Sequence, residues 1–366
     1  MPSPTHEQPP TRLGWADVAK GASITLVVLH HAITKQYDLL VPAQLTAIAD
    51  GWTVLTRGLK PVRMPLFFLV SGFFAATAIH RPWPMVARRV ATSAYLYVVW
   101  LLLIALFTMW ERELPMNRVQ DLGELGRDLV FASTGLWFLY ALVVYFVLTK
   151  ATAAWPPVLA LSAAAAVAVV GASLPIEQTN RVSVLLHLVF FVLGARLPEV
   201  VRAASTWSRP GVLPALTLGF AGGTLLLATL GLPSDVEVLV LSVLGLPAGV
   251  LLSVRTERAS RTAAALSWVG RRTLPVYVLH IPVLGVLHHL GLSPAMGPEP
   301  LALPLAVLYP LLVTALVMAG ALVTHAALAR VGLGVLFRLP RSLRSSTGAA
   351  PFAGPRPADR DVVGRH

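Results

Sequence analysis

The chain has 366 residues, 56% of them hydrophobic and only 13% charged, with a formal net charge of +12. A soluble domain carries about 25% charged residues, so this composition belongs to a polytopic membrane protein and excludes a soluble enzyme. The lack of cysteine excludes disulfides, thiol nucleophiles and thiolate metal sites, and the cations lie between apolar runs and in the C-terminal tail rather than on one amphipathic face, which excludes nucleic acid as a partner.

The first apolar segment, 13–33, contains Asp17, Lys20 and the pair His30-His31. It reads as an uncleaved first helix, because Asp17 and Lys20 closely precede its apolar run and no small-x-small cleavage site follows. On a helix Lys20 and His31 lie about 20° apart, Asp17 is about 40° from His31, and the rise from Lys20 to His31 is roughly 16 Å. One face then carries a cation near the membrane surface and an imidazole toward the bilayer interior. An ionisable group there costs on the order of 2.5–3.5 kcal/mol, which makes the set a functional candidate. The ordinary reading of the same residues is a snorkelling Lys20 with two histidines hydrogen-bonded to neighbouring helices.

Segment 34–61 has room for a short interfacial element. The second apolar segment, 62–80, follows Arg63 with Met64-Pro-Leu-Phe67-Phe68-Leu-Val-Ser71-Gly72, where Ser71-Gly72 serves close helix packing or lines a pocket. Arg81, Arg88 and Arg89 come next, before and within the segment leading to 90–110. Arginine's planar fork matches phosphate, so these three are candidates for a coenzyme A pyrophosphate, with plain topology anchoring as the alternative. Segment 111–128 is mixed-charge. In 129–149, Trp137 and Tyr140 suit an aromatic belt or a platform for a sugar or acyl group. Four apolar segments follow, at 155–174, 183–201, 212–231 and 236–254, then a basic loop at 255–272. Segment 273–291 places Tyr277 and His280 three residues apart on one face, with His280 either a packing residue or a partner for the first-helix site.

Segment 303–329 completes about ten spans, an even count that leaves both termini on one side. Counting arginine and lysine by loop favours the cytoplasm for both termini, with 34–61 and 111–128 outside. The fold expected is an all-α polytopic membrane bundle over 1–336, followed by a disordered basic cytoplasmic tail at 337–366. Adjacent histidines, His30-His31 and His288-His289, diverge by about 100° on a helix and cannot chelate from one face, so no metal is expected. Walker-type and dinucleotide glycine patterns are absent as well.

The ordered set Asp17-x-x-Lys20-Gly21, His31, Met64-Pro-Leu-Phe67-Phe68-x-x-Ser71-Gly72, Arg88-Arg89, Leu136-Trp137-Phe138-Leu139 and Tyr277-x-x-His280 resembles the acyltransferase-3 family of integral membrane O-acyltransferases, in particular its fucose 4-O-acetylase-like branch. Two features depart from that branch: Arg63 stands where a histidine is frequent, and the first motif ends in two histidines, of which spacing from Lys20 favours His31. The resemblance implies transfer of an acyl group, usually acetyl from acetyl-CoA, to a hydroxyl of a glycan or other small acceptor, with no permanently bound cofactor. His31 would act as the base or as a transient acyl carrier, Asp17 and Lys20 would serve the donor side, and Arg81, Arg88 and Arg89 would hold coenzyme A. Trp137, Tyr140, His280 and Arg63 would meet the substrate. A multi-pass protein of a bacterial cytoplasmic membrane is implied, with the lipid bilayer, acyl-CoA and the acceptor as partners and homo-oligomers compatible. Two other classes fit an intramembrane histidine: a transporter, or a membrane protein that only binds its ligand.

Overall fold

The computed structural model describes residues 13–132, 134–173, 179–207, 209–232, 234–258, 260–291 and 302–340. Inside lipid every backbone polar group needs an internal partner, and helices provide one within a single segment. The described residues accordingly contain helices, turns and connections, without strands, as expected of an all-α protein. In chain order the principal helices are α1 (Gly14–Ala32), α2 (Thr46–Gly58), α3 (Lys60–Phe73), α4 (Trp83–Trp110), α5 (Leu122–Phe131), α6 (Trp137–Ala151) and α7 (Pro157–Ser173). They continue as α8 (Thr179–Arg196), α9 (Pro198–Ser205), α10 (Val212–Leu230), α11 (Ser234–Glu257), α12 (Ser260–Gly270), α13 (Thr273–His289) and α14 (Ala302–Arg330).

Most apolar segments of the sequence fall on single helices, with three interruptions: 62–80, 129–149 and 183–201, the last divided at Leu197 between α8 and α9. The span read as 129–149 is interrupted, because α5 ends at Phe131, Ala132 adopts a left-handed φ of 51°, and α6 begins only at Trp137. The span read as 62–80 stops being α-helical at Phe73 and passes through turns to Ala78–His80. Pro82 and Pro84, which lack an amide hydrogen, then begin α4. Among the described residues four helices, α4, α10, α11 and α14, are long and apolar enough to cross a membrane, which makes four spans, or five if α8 and α9, bent by 83°, form one. Asp17, Lys20, His30 and His31 lower the hydropathy of α1, while α3, α6, α7 and α13 are shorter. A crossing count of about ten thus rests on the sequence pattern, whereas helix length and hydropathy support four or five. The basic tail expected from 337 lies almost wholly outside the described residues.

α1 is the hub, packed against α3, α11, α12, α13 and α14. Its approach to α12 is backbone to backbone. A Cβ at Gly21 would sit 2.0 Å from the Leu266 carbonyl oxygen, and one at Gly270 would sit 1.9 Å from that of Asp17. α3 lies against α8 in the same way, through Gly72 and Gly194. Directly after the histidines the chain widens into a π-helical turn, Ile33–Tyr37, anchored by the Tyr37 hydroxyl donating to the Ala306 carbonyl at 2.7 Å. On the outside of the bundle, α10 exposes Leu218, Leu225 and Leu226, the surface expected of a helix facing acyl chains.

Candidate active site

α3 runs antiparallel to α1: Phe73 meets Trp15 at one end, and the Arg63 charge acts on His30 and His31 at the other. α13 runs parallel to α1, since Thr273 and Tyr277 share a cavity with Lys20 and Val27, and His280 meets His31 beyond it. These three helices bring Asp17, Lys20, His31, Arg63 and His280, half of the sequence-predicted residues, into one column.

At one end His31 Nδ1 lies 2.9 Å from His280 Nε2, with the rings stacked at 5.0 Å between centroids. His280 Nδ1 is 2.6 Å from the Tyr277 carbonyl oxygen. A carbonyl only accepts, so His280 carries its hydrogen on Nδ1, and its neutral ring leaves Nε2 as an acceptor. His31 must then donate from Nδ1, which leaves the lone pair of its own Nε2 free of the pair. Tyr277 sits one turn below and pins the start of α6, its hydroxyl donating to Gly135 O at 2.8 Å and accepting from Phe138 N at 3.3 Å.

At the other end Lys20 pairs with the buried Asp17 at 2.8 Å and lies 5.1 Å from the Phe74 ring centroid. Two cavities adjoin at Lys20, Ser71 and Leu142. One, of about 180 Å³, reaches Arg89 and Ser93 on α4. The other, of about 220 Å³, follows Ile24 and Val27 along α1 between Phe67, Phe138 and Tyr277. Its far end is one helical turn from the His31–His280 pair. Lys20, Ile24, Val27 and His31 form the single stripe that spacing on α1 predicts.

Arg89 therefore shares a cavity with Lys20, while Arg88 and Arg81 line neither cavity. The Arg81 carbonyl instead accepts from Lys150. From the Trp-Phe motif the residues that line the path are Phe138 and Leu139. Trp137 packs on Phe68 and His187, and Tyr140 on Tyr97. Arg63 is buried, with Nη1 donating to the Thr56 carbonyl at 3.3 Å. Ser71 and Gly72 divide their roles, Ser71 lining both cavities and Gly72 packing on the Phe191 backbone.

Sequence reasoning missed Ser93, Thr273 and Leu142. Only Ser93 carried a signal, being four residues after Arg89 on the same face of α4. It also missed the cluster in which Glu111 pairs with His289 at 2.7 Å and Glu113 with His288 at 3.0 Å. No residue type or spacing announces a contact between 111–113 and 288–289.

Comparison with known proteins shows the family of the chain. The acyltransferase domain model of the acyltransferase-3 family matches residues 13–325. The inner membrane protein YcfT of Escherichia coli K12 is 26% identical over 290 residues, covering 73% of this chain and 78% of that protein. No solved structure matches the chain significantly. With the family model spanning α1 through most of α14, the chain belongs to the acyltransferase-3 family of membrane acyltransferases.

Proposed function

We propose that the protein transfers an acyl group, acetyl in the first instance, from acyl-CoA to a hydroxyl of a glycan or other small acceptor in a bacterial cytoplasmic membrane. The observation that carries this reading is the His31–His280 contact at the end of two adjoining cavities that begin at Arg89 and Lys20. Arg89 and Lys20 supply cationic donors for the phosphates of coenzyme A. The path beyond them, lined by Met64, Phe67, Phe138 and Leu139, suits a slender, mostly apolar pantetheine arm.

An alcohol is a weak nucleophile until a base takes its proton. His31 Nε2 is oriented for that role by its Nδ1–H bond to His280. As the acceptor oxygen attacks the thioester carbonyl, its proton moves to His31 Nε2. The imidazolium formed keeps its bond to His280, which spreads the new charge over two rings. Collapse of the tetrahedral intermediate breaks the C–S bond, and the thiolate regains a proton from His31, leaving the ester and free coenzyme A. Arg88 and Arg81 would extend the phosphate contacts at the inner mouth, and Asp17 would keep the Lys20 ammonium turned toward the donor. Trp137 and Tyr140, away from the cavities, would brace Phe138 and Leu139.

The test is transfer of labelled acetyl from acetyl-CoA in membranes carrying wild type or His31→Ala. General base catalysis contributes about 10²–10⁴-fold, and a loss of that size at normal abundance is the expected result. Undiminished transfer by His31→Ala would remove the base from the scheme. A carrier would instead show His31-dependent uptake of solute without covalent product.

A further inference from the structure

Resting on the acyltransferase reading, a narrower question concerns what the acceptor looks like at the outer end of the site. Arg63 is 6% exposed, and the protein contact its guanidinium makes is a single hydrogen bond to the Thr56 carbonyl. Among the described residues no carboxylate reaches it, although Lys60, three residues before it, pairs with Asp235 at 2.9 Å and, at the far end of the column, Lys20 pairs with Asp17 at 2.8 Å. An unpaired buried charge is expensive in a protein and more so inside a membrane bundle. Its persistence implies a counter-charge that arrives from outside the chain.

A second observation places that counter-charge. His30 Nδ1, beside Arg63 at the outer end of α1, is buried without a hydrogen-bond partner, and so is Gln36 Oε1 one and a half turns beyond. The fixed charges felt at His30, from Arg63, Lys35, Lys60 and Arg57, are all positive. Arg63 without a counter-charge and the unpartnered His30 Nδ1 thus lie at the same end of α1 as His31, in a field that attracts anions. An anionic oxygen group would accept from Arg63 and from His30 Nδ1–H.

We propose that the acceptor bears a carboxylate or phosphate near the hydroxyl that is acylated, and that Arg63 with His30 binds this group and sets acceptor specificity. A neutral sugar would leave the Arg63 charge unpaired and should be a poor acceptor, since a site built around a charged contact strongly rejects ligands that lack it.

The experiment follows the thermal stability of the purified full chain in detergent, with methyl glucuronoside, glucose 6-phosphate or methyl glucoside added. An anionic sugar well above its Kd should raise Tm by about 3 °C in wild type. The same rise should occur in His31→Ala, be absent in Arg63→Gln and be partly kept in Arg63→Lys. A rise with the glucuronoside alone assigns a carboxylate, one with the sugar phosphate alone assigns a phosphate, and either supports the proposal. Without ligand, Arg63→Gln should melt no lower than wild type, because the substitution removes an unpaired charge, whereas a purely structural Arg63 would make it melt lower. Equal stabilisation by methyl glucoside, none by either anion, or a rise retained in Arg63→Gln would overturn it. Since His31→Ala keeps the anion effect while losing transfer, failure of this proposal and failure of the acyltransferase reading give different results.

Discussion

Because the Tyr277 carbonyl can only accept, the proton positions of the His31–His280 pair are set from the α13 backbone outward. His280→Ala removes the acceptor that orients the His31 ring, and a misplacement of this kind costs about 10²-fold in kcat. Transfer assays should show that loss with donor KM little changed, whereas His30→Ala should act mainly on acceptor KM. On the donor side Arg89→Gln should raise the apparent KM for acetyl-CoA more than Arg88→Gln does, because only Arg89 shares a cavity with Lys20. Equal effects would return both arginines to topology anchoring. At Glu111, burial opposes the charge, yet the amides of Leu114 and Glu113 and the His289 ring together hold its carboxyl below the ordinary range. A depressed folded value means that this contribution is present above about pH 4.5 and fades as pH falls through the folded value. Glu111→Gln should therefore cost about 1.5–3 kcal/mol near neutrality and nothing at strongly acidic pH, read as Tm against pH.

Two helix crossings in the column depend on bare backbone. At Gly21 and Gly270, and again at Gly72 and Gly194, an added Cβ would fall within 2.1 Å of a facing carbonyl oxygen. Backbone cannot yield as a side chain does, so Gly21→Ala must push α12 from α1 and carry Lys20 and Asp17 with it. We expect little folded protein from Gly21→Ala by size-exclusion profile, and near-normal yield from Gly51→Ala, where a Cβ meets open space. The first helix was legible in the sequence because its ionisable residues recur at helical spacing, and Lys20, Ile24, Val27 and His31 do form one stripe. The His31–His280 contact spans 249 positions, and the sequence offered it only as one of two readings of His280, beside plain packing. The break at Ala132 was unreadable, since an alanine carries no sign of a left-handed φ, and apolar residues on both sides mimic one span. Cavity walls made of Leu142 and Thr273 escaped for a similar reason: their chemistry is ordinary, and only packing gives them a position.

Across the whole molecule the charged residues sort to opposite ends of the column. Lys20 and Arg89 mark one end, and Arg63, Lys35 and the Glu111–His289 pair mark the other. On the proposal that the donor is acyl-CoA, which is made in the cytoplasm and whose phosphates cannot cross lipid unaided, the end with Lys20 and Arg89 would face inward. Counting cations by loop gives the same expectation, with 34–61 and 111–128 outside. The proposed acceptor would then enter from the side of Arg63 and meet the thioester at His31, between the two ends, without either substrate crossing the bilayer whole. Because the chain has no cysteine, single cysteines report position without background. Gly126→Cys in α5 should be labelled by an impermeant thiol reagent in intact cells, and Arg81→Cys should be labelled only after the cells are opened. The reverse pattern would put the donor end outside and sink the inward-facing donor site, whatever the fate of the acceptor proposal.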